Sequence, residues 1–139
     1  MKHRISPEDD RFRRAFETQQ VSPADFDHAA HVRLAYIYLC EGSIESAVES
    51  MKAALLAFLA HLGVGPAKYH ETITRAWIMA VDHFMNLSPP CSSSADLVRL
   101  HPQLLDSKIM LTHYSAEVLF SKGARQAFVE PDIQSIPPP

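Results

Sequence analysis

Three histidines carry the clearest chemical signal in this sequence. His28 and His31 stand three apart in Phe26-Asp27-His28-Ala29-Ala30-His31, and His70 sits in Tyr69-His70-Glu71-Thr72. Neutral imidazole is a ligand for Zn, Fe, Ni and Cu, and three protein ligands leave positions open for water or substrate. On one helix, His28 and His31 are neighbours on a single face with ~4.5 Å of axial rise between them. Asp27, four residues before His31, adds a carboxylate at the edge of that stripe. The pattern predicts a mononuclear site for a divalent first-row transition metal (Fe, Zn, Cu or Ni) with His28, His31, His70 and Asp27 as its ligands. A small-molecule substrate enters beside it, and Tyr69, Thr74 and Tyr38 are the candidate catalytic residues. On this reading the chain is a metal-dependent enzyme.

Two other readings of the same residues stand beside it. Without metal, His31 or His70 is a general base with a tyrosine or Thr74 nearby. Alternatively the histidines are packing residues whose nitrogens meet carbonyls or hydroxyls, and the chain is a non-catalytic peptide- or protein-binding module. Other chemistries lack their signatures. There is no glycine-rich phosphate loop, G-x-S-x-G, H-E-x-x-H or C-x-x-C, and the paired glutamates with E-x-x-H of a di-iron bundle are missing. Cys40 falls near a helix C-terminus, where the dipole opposes a thiolate.

The elements that must position these side chains are helical. Apolar residues recur at three and four, and glycines number only four. Ser6-Pro7 opens a first helix that ends by Gln19 to Val21, and Ser22-Pro23 opens a second that runs to Glu41 and stops at a left-handed Gly42. Ser43 caps a third, from Ile44 to Leu62, ended by Gly63. A fourth begins after Gly65-Pro66 and reaches Leu87, with His70, Ile73, Trp77, Val81 and Phe84 in one stripe. In an up-down path the second and fourth helices start at the same end, so their first turns bring His28, His31 and His70 to one depth.

Beyond Leu87 the pattern is broken. A short helix covers Ala95 to Leu100 and is interrupted at His101-Pro102, another is expected from Leu104 to Tyr114, and Ser115 and Ser121 start two more short helices. The tail from Pro131, ending in three prolines, is expected to be extended and loosely packed, with Arg125 pairing with Asp132 to anchor it. The expected fold is all-α: a compact up-down bundle of four main helices with short C-terminal helices, one domain over residues 1–130 and a tail over 131–139.

Residues 34–55 resemble a single tetratricopeptide unit, through Leu34, Ala35, Tyr38, Gly42, Ala47, Met51 and Ala54. That resemblance implies an antiparallel hairpin of the second and third helices; a solenoid needs about three such units. The whole chain is also similar to small bacterial proteins of unassigned role that carry F-x-H-x-x-H early and Y-H-E-T mid-chain. No activity follows from that resemblance.

Composition narrows the partners. Thirteen Lys+Arg against sixteen Asp+Glu give a net charge of −3 without a dense basic cluster, which argues against nucleic acid. No apolar run approaches the ~20 residues of a membrane span, and no signal core is evident at the N-terminus. Two cysteines make no disulfide framework, so a cytoplasmic location is expected. Tyr36 and Ile37, on the expected outer side of the second helix, are the candidate contact of a homodimer.

Overall fold

Ser6, Ser43, Ser93, Ser115 and Ser121 each start a helix by accepting a backbone N–H three residues ahead. At Ser6 the cap is reciprocal, because the Asp9 carboxylate returns to the Ser6 N–H. The structure, a computed structural model, describes residues 2–137. Its helices are α1 (Pro7–Glu17), α2 (His28–Cys40), α3 (Ile44–His61), α4 (Glu71–Asn86), α5 (Ser94–Leu100), α6 (Ala116–Leu119) and α7 (Lys122–Gln126). Short 3-10 turns cover Pro23–Asp25, Pro66–Lys68, Pro102–Leu105 and Ser107–Thr112. The described residues contain no strand, so the fold is all-α.

α2 is the axis of the molecule. Leu34, Ala35, Tyr36 and Ile37 are all completely buried, one full turn without a solvent side. A helix apolar all round must be covered all round. α3 and α4 pack against α2 and each other, α1 lies across α2 and α3, and α5 with the Pro102–Leu105 turn closes the remaining side. Tyr36 and Ile37 are therefore core residues, not a dimer contact, and the Tyr36 hydroxyl donates to the Arg4 carbonyl at 2.6 Å.

Two helix starts differ from the sequence pattern in the same way. Proline-led 3-10 turns at Pro23 and Pro66 precede α2 and α4, so each helix begins several residues later than the serine or glycine before its proline suggests. The caps are Asp27, whose carboxylate accepts from Ala30 N at 2.9 Å, and His70, whose Nδ1 accepts from Ile73 N at 3.1 Å. The extra turn swings Phe26 inward, where its ring centroid lies 4.5 Å from Phe16 and 5.4 Å from Phe58.

Gly63 takes the left-handed conformation expected at the end of α3, with φ 74°. Gly42 does not. A Cβ there would meet Ser46 Oγ, which itself donates to the Ser43 carbonyl at 3.1 Å, so the tight α2–α3 turn uses the glycine for space.

The C-terminal third wraps the bundle instead of continuing it. The Leu104–Tyr114 stretch forms 3-10 turns laid over α4, and the tail is fastened. Ile133 N donates to the His113 carbonyl at 2.9 Å, Asp132 accepts from Ser115 N at 2.8 Å, and Ile136 is only 6% exposed. Arg125 does not pair with Asp132; its Nη1 points to the carbonyls of Ala67 and Lys68.

Candidate functional site

The late start of α2 keeps His28 and His31 on its first two turns, where both line one cavity of about 320 Å³. Ile73 and Trp77 of α4 form one wall; Met110, Leu119 and Phe120 form the other, and Ser107 and Lys108 stand at the rim. Trp77 fixes the floor. It is 3% exposed, and the His28 ring meets it edge-on with centroids 4.4 Å apart.

The two imidazoles are in different states of engagement. His28 Nε2 donates to the Leu104 carbonyl at 2.9 Å, which orients the ring and leaves Nδ1 with its lone pair. His31 has no hydrogen-bond partner for its ring among the described residues. Its nearest aromatic is Phe26, edge-on at 6.2 Å. Burial pushes the His31 ring down to a pKa of about 4, and the neighbouring His28 adds to the effect. His31 is half-buried, so at neutral pH the open cavity holds an unprotonated imidazole whose ring meets no hydrogen-bond partner among the described residues.

The structure brings together only two of the predicted ligands. His70, as the α4 cap, has both nitrogens in use: Nδ1 on Ile73 N and Nε2 donating to the Leu119 carbonyl at 2.8 Å. Burial, with Arg125 nearby, holds its ring below the usual histidine pKa. His70 stands behind the cavity wall and positions Leu119, which lines it. The Asp27 carboxylate is exposed and committed to Ala30 N. Among the described residues no three His, Cys, Asp or Glu side chains are grouped to hold a metal ion. The physical reason is shared: a side chain that caps a helix is turned onto the helix's own backbone and away from its faces.

The candidate catalytic residues also lie elsewhere. The Tyr38 hydroxyl donates to Glu17 at 2.6 Å two turns beyond His31 along α2, and burial, aided by Glu17, raises its pKa. Thr74 is buried within α4, 3% exposed, and Tyr69 lines a separate concavity beyond His70. Cys40 is a poor nucleophile as expected, since burial pushes its thiol up to about 11.

Sequence reasoning missed Leu104, Leu119 and the rim residues. Their contribution is a backbone carbonyl or an apolar wall, which side-chain chemistry does not advertise. No family model, no curated protein and no solved structure matches the chain. No described helix is long and apolar enough to cross a membrane.

Proposed function

We propose that this chain is a small metal-binding protein in which His28 and His31, as a pair, hold one divalent first-row transition metal ion at the wall of the α2–α4 cavity. Water and a small-molecule substrate take the remaining positions. The observation that carries this reading is His31: an imidazole without a hydrogen-bond partner among the described residues, neutral at physiological pH, facing a cavity beside a second imidazole. A metal needs an unprotonated ring, and here no proton has to be displaced. His28 supports it, because a ring that gives its other N–H to a backbone carbonyl has the outer contact that orients metal-bound histidines. With two protein ligands the ion keeps several open sites, which suits Lewis-acid chemistry on a bound molecule. The apolar walls favour a substrate with a hydrocarbon face. Free Cys40 and Cys91 fit a reducing compartment, so the cytoplasm is the proposed location.

The test is titration of the metal-free chain with Zn²⁺ or Ni²⁺, followed by calorimetry and by the fluorescence of Trp77, the single tryptophan. One ion per chain is expected. Binding is lost in His28→Ala and His31→Ala and kept in His70→Asn. A double His28→Ala/His31→Ala variant that binds like the wild type overturns the proposal.

A second reading has its own support, because His28 and His70 both bond carbonyls of the C-terminal wrap as packing histidines do. If the chain is instead a binding module, His31→Phe is tolerated or stabilising, and no ion binds stoichiometrically.

A further inference from the structure

The residues on either side of His70 open onto a different concavity, of about 380 Å³, between α3, α4 and α7. Its charged lining is one-sided. Lys52, Lys122 and Arg125 face a single carboxylate, Glu71, in a chain whose overall charge is negative. The one internal pairing is loose: Lys52 Nζ lies 3.7 Å from Glu71 Oε1, beyond hydrogen-bond range, and 5.6 Å above the Tyr69 ring. Lys122 has no carboxylate partner among the described residues. Arg125 leans on the carbonyls of Ala67 at 3.5 Å and Lys68 at 3.3 Å through one nitrogen, which orients the guanidinium and leaves its other donors unused.

Two buried polar atoms of this lining lack hydrogen bonds among the described residues: the Tyr69 hydroxyl and Glu71 Oε1. Tyr69 is 8% exposed. Burial raises the phenol's pKa, with Thr74 opposing and Glu71 reinforcing, so it stays a neutral donor. Buried polar atoms are nearly always paired; the phenol lies near enough to Glu71 and Thr74 to feel both without closing a hydrogen bond to either, so a ligand can complete the pairing. Their demands are complementary. The phenol can donate to an oxygen, the carboxylate needs a hydroxyl, and the three cations need negative charge.

We propose that this concavity binds a small organic oxyanion that also carries a hydroxyl group, such as a phosphate monoester or a hydroxycarboxylate. Arg125 and Lys122 take the anionic oxygens, Tyr69 donates to one of them, and Glu71 accepts from the ligand's hydroxyl. Charge-assisted contacts of this kind are the strong ones, and a cleft lined by one sign of charge concentrates the opposite ion. The site is separate from the histidine pair and does not rest on the metal reading.

The experiment uses the full chain, metal-free and with EDTA present, and two probes: glycerol phosphate and glycolate. Each is compared with sodium chloride at equal ionic strength, by calorimetry and thermal shift. Saturable binding of at least one probe, one per chain, is expected, and the stronger probe identifies the anion. Lys122→Gln and Arg125→Gln should each weaken it about five-fold or more. Tyr69→Phe should weaken it while leaving the ligand-free midpoint equal or higher, since an unpaired hydroxyl is removed. His31→Ala should bind the probe normally. The proposal is overturned if neither probe exceeds chloride, or if Lys122→Gln, which breaks no hydrogen bond or ion pair among the described residues, binds as the wild type does.

Discussion

His70 donates from Nε2 to the Leu119 carbonyl across 2.8 Å, while its Nδ1 holds the Ile73 N–H at 3.1 Å. One ring thus closes the start of α4 and fastens α6 to it. Leu119 in turn walls the cavity that His28 and His31 line. The same device recurs at His3, which donates to Met85 and accepts from Cys91 N, while His28 makes only the carbonyl half of it and ties Leu104 to α2. Imidazole is suited to this work because its two nitrogens, one donor and one acceptor, serve two backbone groups at once.

His70→Ala should therefore cost about 2–4 kcal/mol: roughly 1 for the lost cap and 1–3 for a buried carbonyl left unpaired. His70→Asn restores the cap, since asparagine is a favoured N-cap residue, but is too short for Leu119. It should recover about 1 kcal/mol of the loss. Urea unfolding of the three proteins measures both quantities. Equal losses in the two variants would mean that the cap contributes nothing.

Stability should fall as the solution is acidified through the interval set by His31. Its pKa is about 4 in the folded chain and 6.5 when unfolded, so between these values the unfolded chain binds more protons. The contribution is complete above pH 6.5 and lost progressively on going down to about pH 4. His70, also lowered by burial, acts in the same direction. The fall attributable to His31 is on the order of 1–3 kcal/mol. It should be absent from the His31→Phe variant; parallel pH profiles for the two proteins would show that His31 is not desolvated.

Much of this architecture is legible in the chain. The capping serines at 6, 43, 115 and 121 mark real helix starts. The helical period of α3, which runs through Ile44, Ala47, Val48, Met51, Leu55, Phe58, Leu59 and Leu62, finds the buried Ala47, Val48, Met51 and Phe58, while Ile44, Leu55 and Leu59 are half-buried and Leu62 is exposed. The His28–His31 pair is legible too, because residues three apart on one helix share a face. The third ligand is not. A proline-led turn shifts the start of α4 so that His70 falls on the cap, and its partner Leu119 lies 49 residues away. His28 and Leu104 are 76 apart, and the accepting group is a carbonyl that every residue owns. Face arguments also assume that a helix has an outside, and α2 has none along its central turn.

Asp9 should be the most costly single carboxylate to remove. It is 1% exposed, and its oxygens accept from Ser6 N, Ser94 N, Ser94 Oγ and Arg33 Nε. Burial alone would raise its pKa, but the bonds from Ser94, Ser6 and Arg33 outweigh it and hold the group below the usual carboxylate range. Asp9→Ala leaves Arg33 without its counter-charge and opens both the α1 cap and the α5 junction. A loss of about 3–5 kcal/mol is expected. Because the folded-state pKa is depressed, this contribution is present above the unfolded carboxylate pKa of ~3.9 and fades only below it. An additional acid transition seen in the wild type and missing from Asp9→Ala checks the assignment.

The C-terminal tail should contribute to stability although it has no regular structure. Ile136 is 6% exposed and shares an apolar recess with Trp77, Ala80, Phe84 and Leu104, while His113 holds the backbone just before it: its carbonyl accepts from Ile133 N and Gln134 N, and its Nδ1 bonds the Gln134 carbonyl. Ile136→Ala removes apolar area from the edge of the core and should cost about 2 kcal/mol, the low end for buried aliphatic truncation. The consequence reaches further, because Trp77 lines both this recess and the histidine cavity. Removing residues 133–139 should therefore lower the thermal midpoint and shift Trp77 emission to the red as water reaches the ring. An unchanged emission maximum in the shortened chain would mean that the tail covers nothing that Trp77 senses.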